Sequence, residues 1–223
     1  MGLGRIESKP TAITPMQPMP KKQSNARIAI INGSLGGAKG NTNNLIQYAK
    51  KVINKQYPGA QVQIVNLFPE FNWVEVSKAI ANADGLIFAT GTYWDSWGSP
   101  MQQLLEKMTQ IEGKKQLVGK PAAVLVTMHS VGGKEVADRL QGVLSSMGCL
   151  LPPFTALAYS YADHVAHRSD GKPGDELLQD IWDIEDLNYV VHNLFEAIAG
   201  TKNWKVWDYL DTKQLDPSHI WLK

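Results

Sequence analysis

A single cysteine, Cys149, stands in 223 residues. That excludes an internal disulfide, a multi-cysteine zinc site and a cysteine-ligated iron–sulfur cluster. No run of about 18 apolar residues occurs, so no membrane-spanning helix is expected. No sign of charge dominates: 22 Lys+Arg against 21 Asp+Glu leave +1, and no broad basic field is present to hold nucleic acid. Two nucleotide signatures are missing as well. Lys39 is followed by Gly40 rather than by Ser or Thr, and Leu35 stands where a G-x-G would need its second glycine after Gly33. Nucleoside triphosphates and dinucleotides therefore fall in rank. The first residues have no apolar core of a secretory signal, and the expected location is the cytoplasm. What remains is 43% hydrophobic and 19% charged, an ordinary globular mix long enough to bury a core without staples.

Residues 1–25 differ from the rest. Four prolines (Pro10, Pro15, Pro18, Pro20) alternate with polar residues, and four basic residues against one acid give the segment +3, leaving −2 for the remainder. This composition reads as a flexible arm, free or clasping a partner subunit. From residue 26 to about 200 the pattern is a regular β–α alternation. Apolar runs at Ile28–Ile31, Val62–Val65, Leu86–Ala89, Ala122–Val126 and Cys149–Leu151 read as strands. Between them lie helical stripes: Leu45 to Ile53, a stretch opened by the capping spacing of Asn72 and Glu75, Met101 to Met108, and Val136 to Met147. A long stripe from Leu177 to Ile198 closes the domain. Residues 201–223, with Trp204, Trp207 and Trp221, form a tail that must pack on the domain or on a partner.

Such units predict an α/β fold: a parallel sheet with helices on both faces, binding ligands beyond the carboxyl ends of its strands. Three loops are then decisive. Asn32–Asn43 follows the first strand and carries four glycines, the hydroxyls of Ser34 and Thr42, and the amides of Asn41 and Asn43. Backbone N–H groups there, at a helix start, suit a phosphate; a mobile glycine-rich turn fits the same residues. Thr90–Pro100 follows the third strand, with Tyr93, Trp94 and Trp97 offering flat aromatic surface and Gly91 and Gly98 letting backbone come close. Trp97 suits a subunit contact equally well. Thr127–Gly133 follows the fourth strand, with backbone donors at Ser130, Gly132 and Gly133 and an imidazole at His129.

Together these stretches resemble the flavodoxin-like NAD(P)H-dependent FMN reductases, over about Ala26 to Thr155. Gly33-Ser34 and Gly40-Asn41-Thr42 match that family's phosphate loop, though Gly36 stands where arginine is common and the loop is one residue longer. Ala83-Asp84 to Tyr93 resembles its second signature, with Gly91 in place of the usual proline and Gln102 or Gln103 near a common lysine. The resemblance implies a three-layer sandwich around a five-stranded parallel sheet in the order 2-1-3-4-5. It implies FMN held by Ser34, Lys39, Gly40, Asn41, Thr42 and Asn43 at its phosphate. At its ring it implies Thr90, Gly91, Thr92, Tyr93 and Trp94, and on the pyrimidine side His129, Ser130, Gly132 and Gly133; His129 is the one catalytic candidate, as a donor to a flavin carbonyl or a quinone oxygen, and a merely solvated loop histidine is the alternative.

Lys39 is the only nearby cation. NADPH or NADH would reduce the flavin, and a quinone, azo, nitro or metal-oxyanion acceptor would take the electrons in a ping-pong cycle. A homodimer or homotetramer is expected. An FMN-binding electron carrier and a flavin-free interaction protein of the same fold are the alternatives. His164 and His167, in a polar insertion over Tyr159–Asp175, lack a third ligand of fixed geometry, so no metal is expected. Cys149 reads as a small buried hydrophobe.

Overall fold

The computed structural model describes residues 24–160 and 184–200. Five strands are parallel: β1 (Arg27–Asn32), β2 (Gln61–Asn66), β3 (Gly85–Tyr93), β5 (Ala122–Met128) and β6 (Ala156–Ser160). A two-residue strand, β4 (Ser96–Trp97), folds back antiparallel on the end of β3. The spatial order is β2-β1-β3-β5-β6. Without β4 this is the expected 2-1-3-4-5, and the fold is flavodoxin-like. The helices are α1 (Asn41–Gln56), α2 (Trp73–Asn82), α3 (Ser99–Met108), α4 (Gly133–Ser146) and α5 (Leu187–Ala199).

Strand periodicity of two explains the layers. Ile28, Ile30, Ile87, Ala123 and Leu125 face α1 and α5, whereas Ala29, Ile31, Leu86, Phe88 and Val124 face α2, α3 and α4. Both faces are covered, which is why these strands read as continuous apolar runs. The Asn72 side chain accepts from the Glu75 N–H at 3.2 Å, capping α2 as its sequence spacing predicts. At the other end of α2, the Lys120 ammonium donates to the carbonyls of Ile80 and Ala81, where the helix dipole favours a cation. Among the described residues no helix is long and apolar enough to cross a membrane.

One expected strand is misplaced. Cys149–Leu151 contributes only a bridge from Leu150 to Pro121, and the last parallel strand is Ala156–Ser160. Leu150 exchanges backbone bonds with Lys120 and Ala122, and pairing then resumes where the Val124 N–H donates to the Thr155 carbonyl. Pro152 and Pro153, without an N–H to give, push the chain out between these points. The Thr155 hydroxyl, donating to the Pro152 carbonyl at 2.6 Å, closes the excursion. The N-terminal arm through residue 23, the tail 201–223, and the insertion beyond Ser160 with His164 and His167 lie outside the described residues, as do Leu177 and Ile181 of the closing stripe.

Candidate functional site

A cleft of about 670 Å³ opens at the carboxyl edge of the sheet, within the range typical of small-molecule sites, roughly 300–1,000 Å³. It is bordered by the loop after β1, the end of β3, the end of β5, one face of α1, and Tyr159 and Ile184.

The loop after β1 is organised from inside. The Asn32 side chain, fully buried, donates to the Gly37 carbonyl and to Asn66 Oδ1, both at 2.9 Å. Its Oδ1 accepts from the Ser34 N–H at 3.2 Å and from the Ser34 hydroxyl at 2.7 Å. All four hydrogen-bonding positions of this amide are filled. The hub joins the ends of β1 and β2 to the loop, and the Ser34 hydroxyl turns its proton inward. Further along, the chain crosses itself at two glycines: a β-carbon on Gly36 would lie 2.6 Å from the Gly40 Cα. Gly40 is the N-cap of α1 and brings no side-chain cap. The N–H groups of Asn41 and Thr42 are consequently without an acceptor among the described residues. The Thr42 and Thr127 hydroxyls share a hydrogen bond at 2.7 Å across the cleft floor, leaving one hydroxyl proton for a ligand.

The end of β3 forms the second wall. The Tyr93 ring folds back over Gly91 and Gly98, and its hydroxyl accepts from the Leu35 N–H at 3.0 Å. A β-carbon at residue 91 would stand 3.1 Å from that ring, closer than ordinary van der Waals contact. Trp94 and Asp95, both at positive φ, make the two-residue turn into β4, a geometry of hairpins whose twist matches that of the strands. Below the turn, Arg139 of α4 donates to the Asp95 carbonyl at 3.1 Å and stacks its guanidinium 4.9 Å from the Trp97 ring. The Trp97 indole N–H donates to Gln102 at 2.8 Å. The β3–β4 hairpin is therefore braced by α3 and α4.

Of the residues expected from sequence, the cleft brings together Ser34, Gly40, Asn41, Thr42, Gly91, Thr92, Tyr93 and His129. The others lie off its lining. Lys39 is exposed on the short 3-10 turn Gly37–Lys39. The Asn43 amide is turned to the Ala38 carbonyl at 2.8 Å. Thr90 is fully buried, its hydroxyl donating to the Gly91 carbonyl and accepting from the Gly98 N–H. Trp94 is 100% exposed. Ser130 is exposed, Gly132 lies beside the Asp95 carboxylate, and the Gly133 N–H donates to the Met128 sulfur at 3.3 Å.

Several lining residues were missed: Asn44, Leu45 and Tyr48 on α1, Thr127 and Met128 on β5, and Tyr159. Helical spacing puts Asn44, Leu45 and Tyr48 on the face that begins at Asn41, a signal available in the sequence. The Tyr48 hydroxyl donates to Glu185 at 2.9 Å, joining α1 to the start of the closing helix.

The donor set fits FMN on two counts. Uncapped N–H groups at the start of α1 suit a phosphate. The Thr92 hydroxyl is buried with no partner among the described residues, a cost that a bound polar ring edge would relieve.

No curated protein matches the chain in sequence. Among solved structures, RosB with bound 8-demethyl-8-formylriboflavin-5'-phosphate superposes with a TM-score of 0.62 at 18% identity, covering 78% of this chain and 79% of that one. The apo form of the NADH:FMN oxidoreductase EMOB gives 0.58 at 20% identity, with 80% and 91% covered. A flavodoxin, WrbA-like protein from Agrobacterium tumefaciens gives 0.54 at 13%, with 77% and 97% covered. These likenesses show a shared fold. The model of the NADPH-dependent FMN reductases matches residues 26–163, from the strand that leads into the glycine loop to just past the end of β6. By that match the chain belongs to the NADPH-dependent FMN reductase family.

Proposed function

We propose that this protein binds FMN in the carboxyl-edge cleft and uses NAD(P)H to reduce a small quinone, azo, nitro or metal-oxyanion acceptor. FMN and NAD(P)H are the family's cofactor and reductant. The observation that carries the reading is the meeting, in one cleft, of an uncapped helix start, the β3 end with its orphaned Thr92 hydroxyl, and the open β5 end.

When bound, FMN supplies the redox chemistry. The chain's own work is to bind, orient and exclude water. The Asn41 and Thr42 N–H groups, with the Thr42–Thr127 hydroxyl pair, hold the phosphate. The backbone at Gly91 and the Thr92 hydroxyl meet the ring edge. His129, on the lining, is the side chain placed to donate to an acceptor oxygen. Reductant and acceptor alternate in the same open cleft, a ping-pong order. No acid–base pair is needed for hydride movement, consistent with a lining in which, among the described residues, the ionisable side chains are His129 and three tyrosines. Assembly as a homodimer or homotetramer is supported by the exposed apolar side chains Trp94 and Val131, and sedimentation in solution checks it.

The direct test mixes FMN-loaded protein with NADPH or NADH without oxygen and follows the flavin's blue absorbance. Rapid bleaching, restored by a quinone, is the expected result. Colour that persists until a reductase protein is added would replace the enzyme reading with that of an electron carrier.

A further inference from the structure

The chain has seven methionines, and the described ones divide by environment. Met101, Met108 and Met147 are buried in the core between the sheet and α2, α3 and α4. Met128 is half-buried at the end of β5 and lines the carboxyl-edge cleft. The N–H of Gly133, the first residue of α4, donates to the Met128 sulfur at 3.3 Å. A β-carbon on Gly133 would lie 2.7 Å from that sulfur, so the thioether fills the space that the glycine leaves free. Gly132, the N-cap of α4, brings no side-chain acceptor of its own. A thioether, a weak acceptor, serves this helix start instead.

We propose that Met128 is a site of reversible oxidation whose sulfoxide is received by the start of α4. The oxidant is hydrogen peroxide. The sulfur attacks one peroxide oxygen, the O–O bond breaks, an S–O bond forms, and the other oxygen leaves as water. Sulfur loses two electrons and the peroxide gains them. The product replaces a weak acceptor with a strong one, beside the Gly133 N–H and at the positive end of the α4 dipole. Burial withholds the other three described methionines from the same reaction. The supply of peroxide rests on the FMN reading above, because a reduced flavin that gives two electrons to dioxygen yields hydrogen peroxide in this cleft. The site itself does not depend on that reading. Oxidation also turns an apolar part of the lining, next to Thr127, into a polar and chiral one.

The test treats the full-length apoprotein with hydrogen peroxide and maps sulfoxides by peptide mass spectrometry, which separates Met128 from Met1, Met16 and Met19 of the arm. Met128 is expected to oxidise at least about tenfold faster than Met101, Met108 and Met147. The oxidised protein is expected to melt no more than about 2 °C below the reduced protein. It is expected to bind FMN at least about threefold more weakly, with the affinity restored by a methionine sulfoxide reductase. In Met128→Leu, peroxide should leave the FMN Kd unchanged.

Oxidation of Met128 no faster than that of the three buried methionines would overturn the site. A larger fall in melting temperature would overturn its reception by α4. An unchanged FMN Kd after oxidation, or an equal peroxide effect in Met128→Leu, would overturn its hold on the cleft. Failure of the untreated protein to bind FMN would instead remove the FMN reading, and the peptide map would still decide the site.

Discussion

Tyr93 connects the two walls of the cleft with one hydroxyl. It accepts from the Leu35 N–H of the glycine loop while its ring lies over Gly91 and Gly98. Tyr93→Phe removes the acceptor and keeps the ring. The Leu35 N–H lies at an exposed position and turns to water, so the fold survives but the loop loses its tether. A hydrogen bond of this kind is worth about 1 kcal/mol, and FMN affinity should fall roughly fivefold with little change in melting temperature. Fluorescence titration beside thermal unfolding separates these effects, and a variant that melts early without losing FMN affinity would count against the tether. The Thr92 hydroxyl is the converse case. It has no partner among the described residues, so Thr92→Val should stabilise the apoprotein or leave it unchanged, yet weaken FMN. Equal melting gains with and without FMN would show that the hydroxyl does not meet the ligand.

At the scale of the element, α2 is pinned at both ends, by Asn72 at its start and Lys120 at its end. Asn72→Ala should cost about 1 kcal/mol of unfolding free energy, read from denaturant melts, and leave flavin binding alone because α2 has no part in the lining. The spacing of Asn72 and Glu75 made that start legible from sequence, as apolar runs bounded by glycine or proline did for β1, β2, β3 and β5. The last strand was not legible in the same way. Cys149–Leu151 has the apolar look of a strand and the wrong place, whereas Ala156-Leu-Ala-Tyr-Ser160 mixes small and polar residues. What puts the strand there is pairing with β5, resumed after two prolines; a non-local partner outweighs local composition. The site shows the same division. Loop residues at strand ends could be found from type and spacing, but Lys39 and Trp94 could not be sorted from the lining residues. Which way a turn faces is decided by tertiary contacts such as the Arg139 brace under Asp95.

At the scale of the whole molecule, two buried acids among the described residues are of very weak acidity. Burial, with the Glu196 carboxylate adding to it, pushes the Tyr57 phenol up to about 12; its ring stacks on Phe195 at 3.8 Å between α1 and α5. Burial pushes the Cys149 thiol up to about 12 as well, against the opposing pull of Lys120. In both, the folded state holds a proton that the unfolded chain releases at its ordinary value, near 8.5 for the thiol and 10 for the phenol. The stability they contribute is complete below about pH 8.5 and is lost as pH rises towards 12. Unfolding free energy should therefore fall between these limits, and Tyr57→Phe should fall less steeply than wild type above about pH 10. Cys149 should also resist thiol reagents at neutral pH until the protein is unfolded.

The buried Asn32 hub has a consequence in time as well as in space. Because the hub satisfies its amide within the fold and closes the glycine loop before any ligand arrives, entry of a flavin requires no ordering of that loop. Association should then be a single fast phase, proportional to flavin concentration and free of a slow isomerisation. Differences in affinity between flavins should appear almost wholly in how long each one stays.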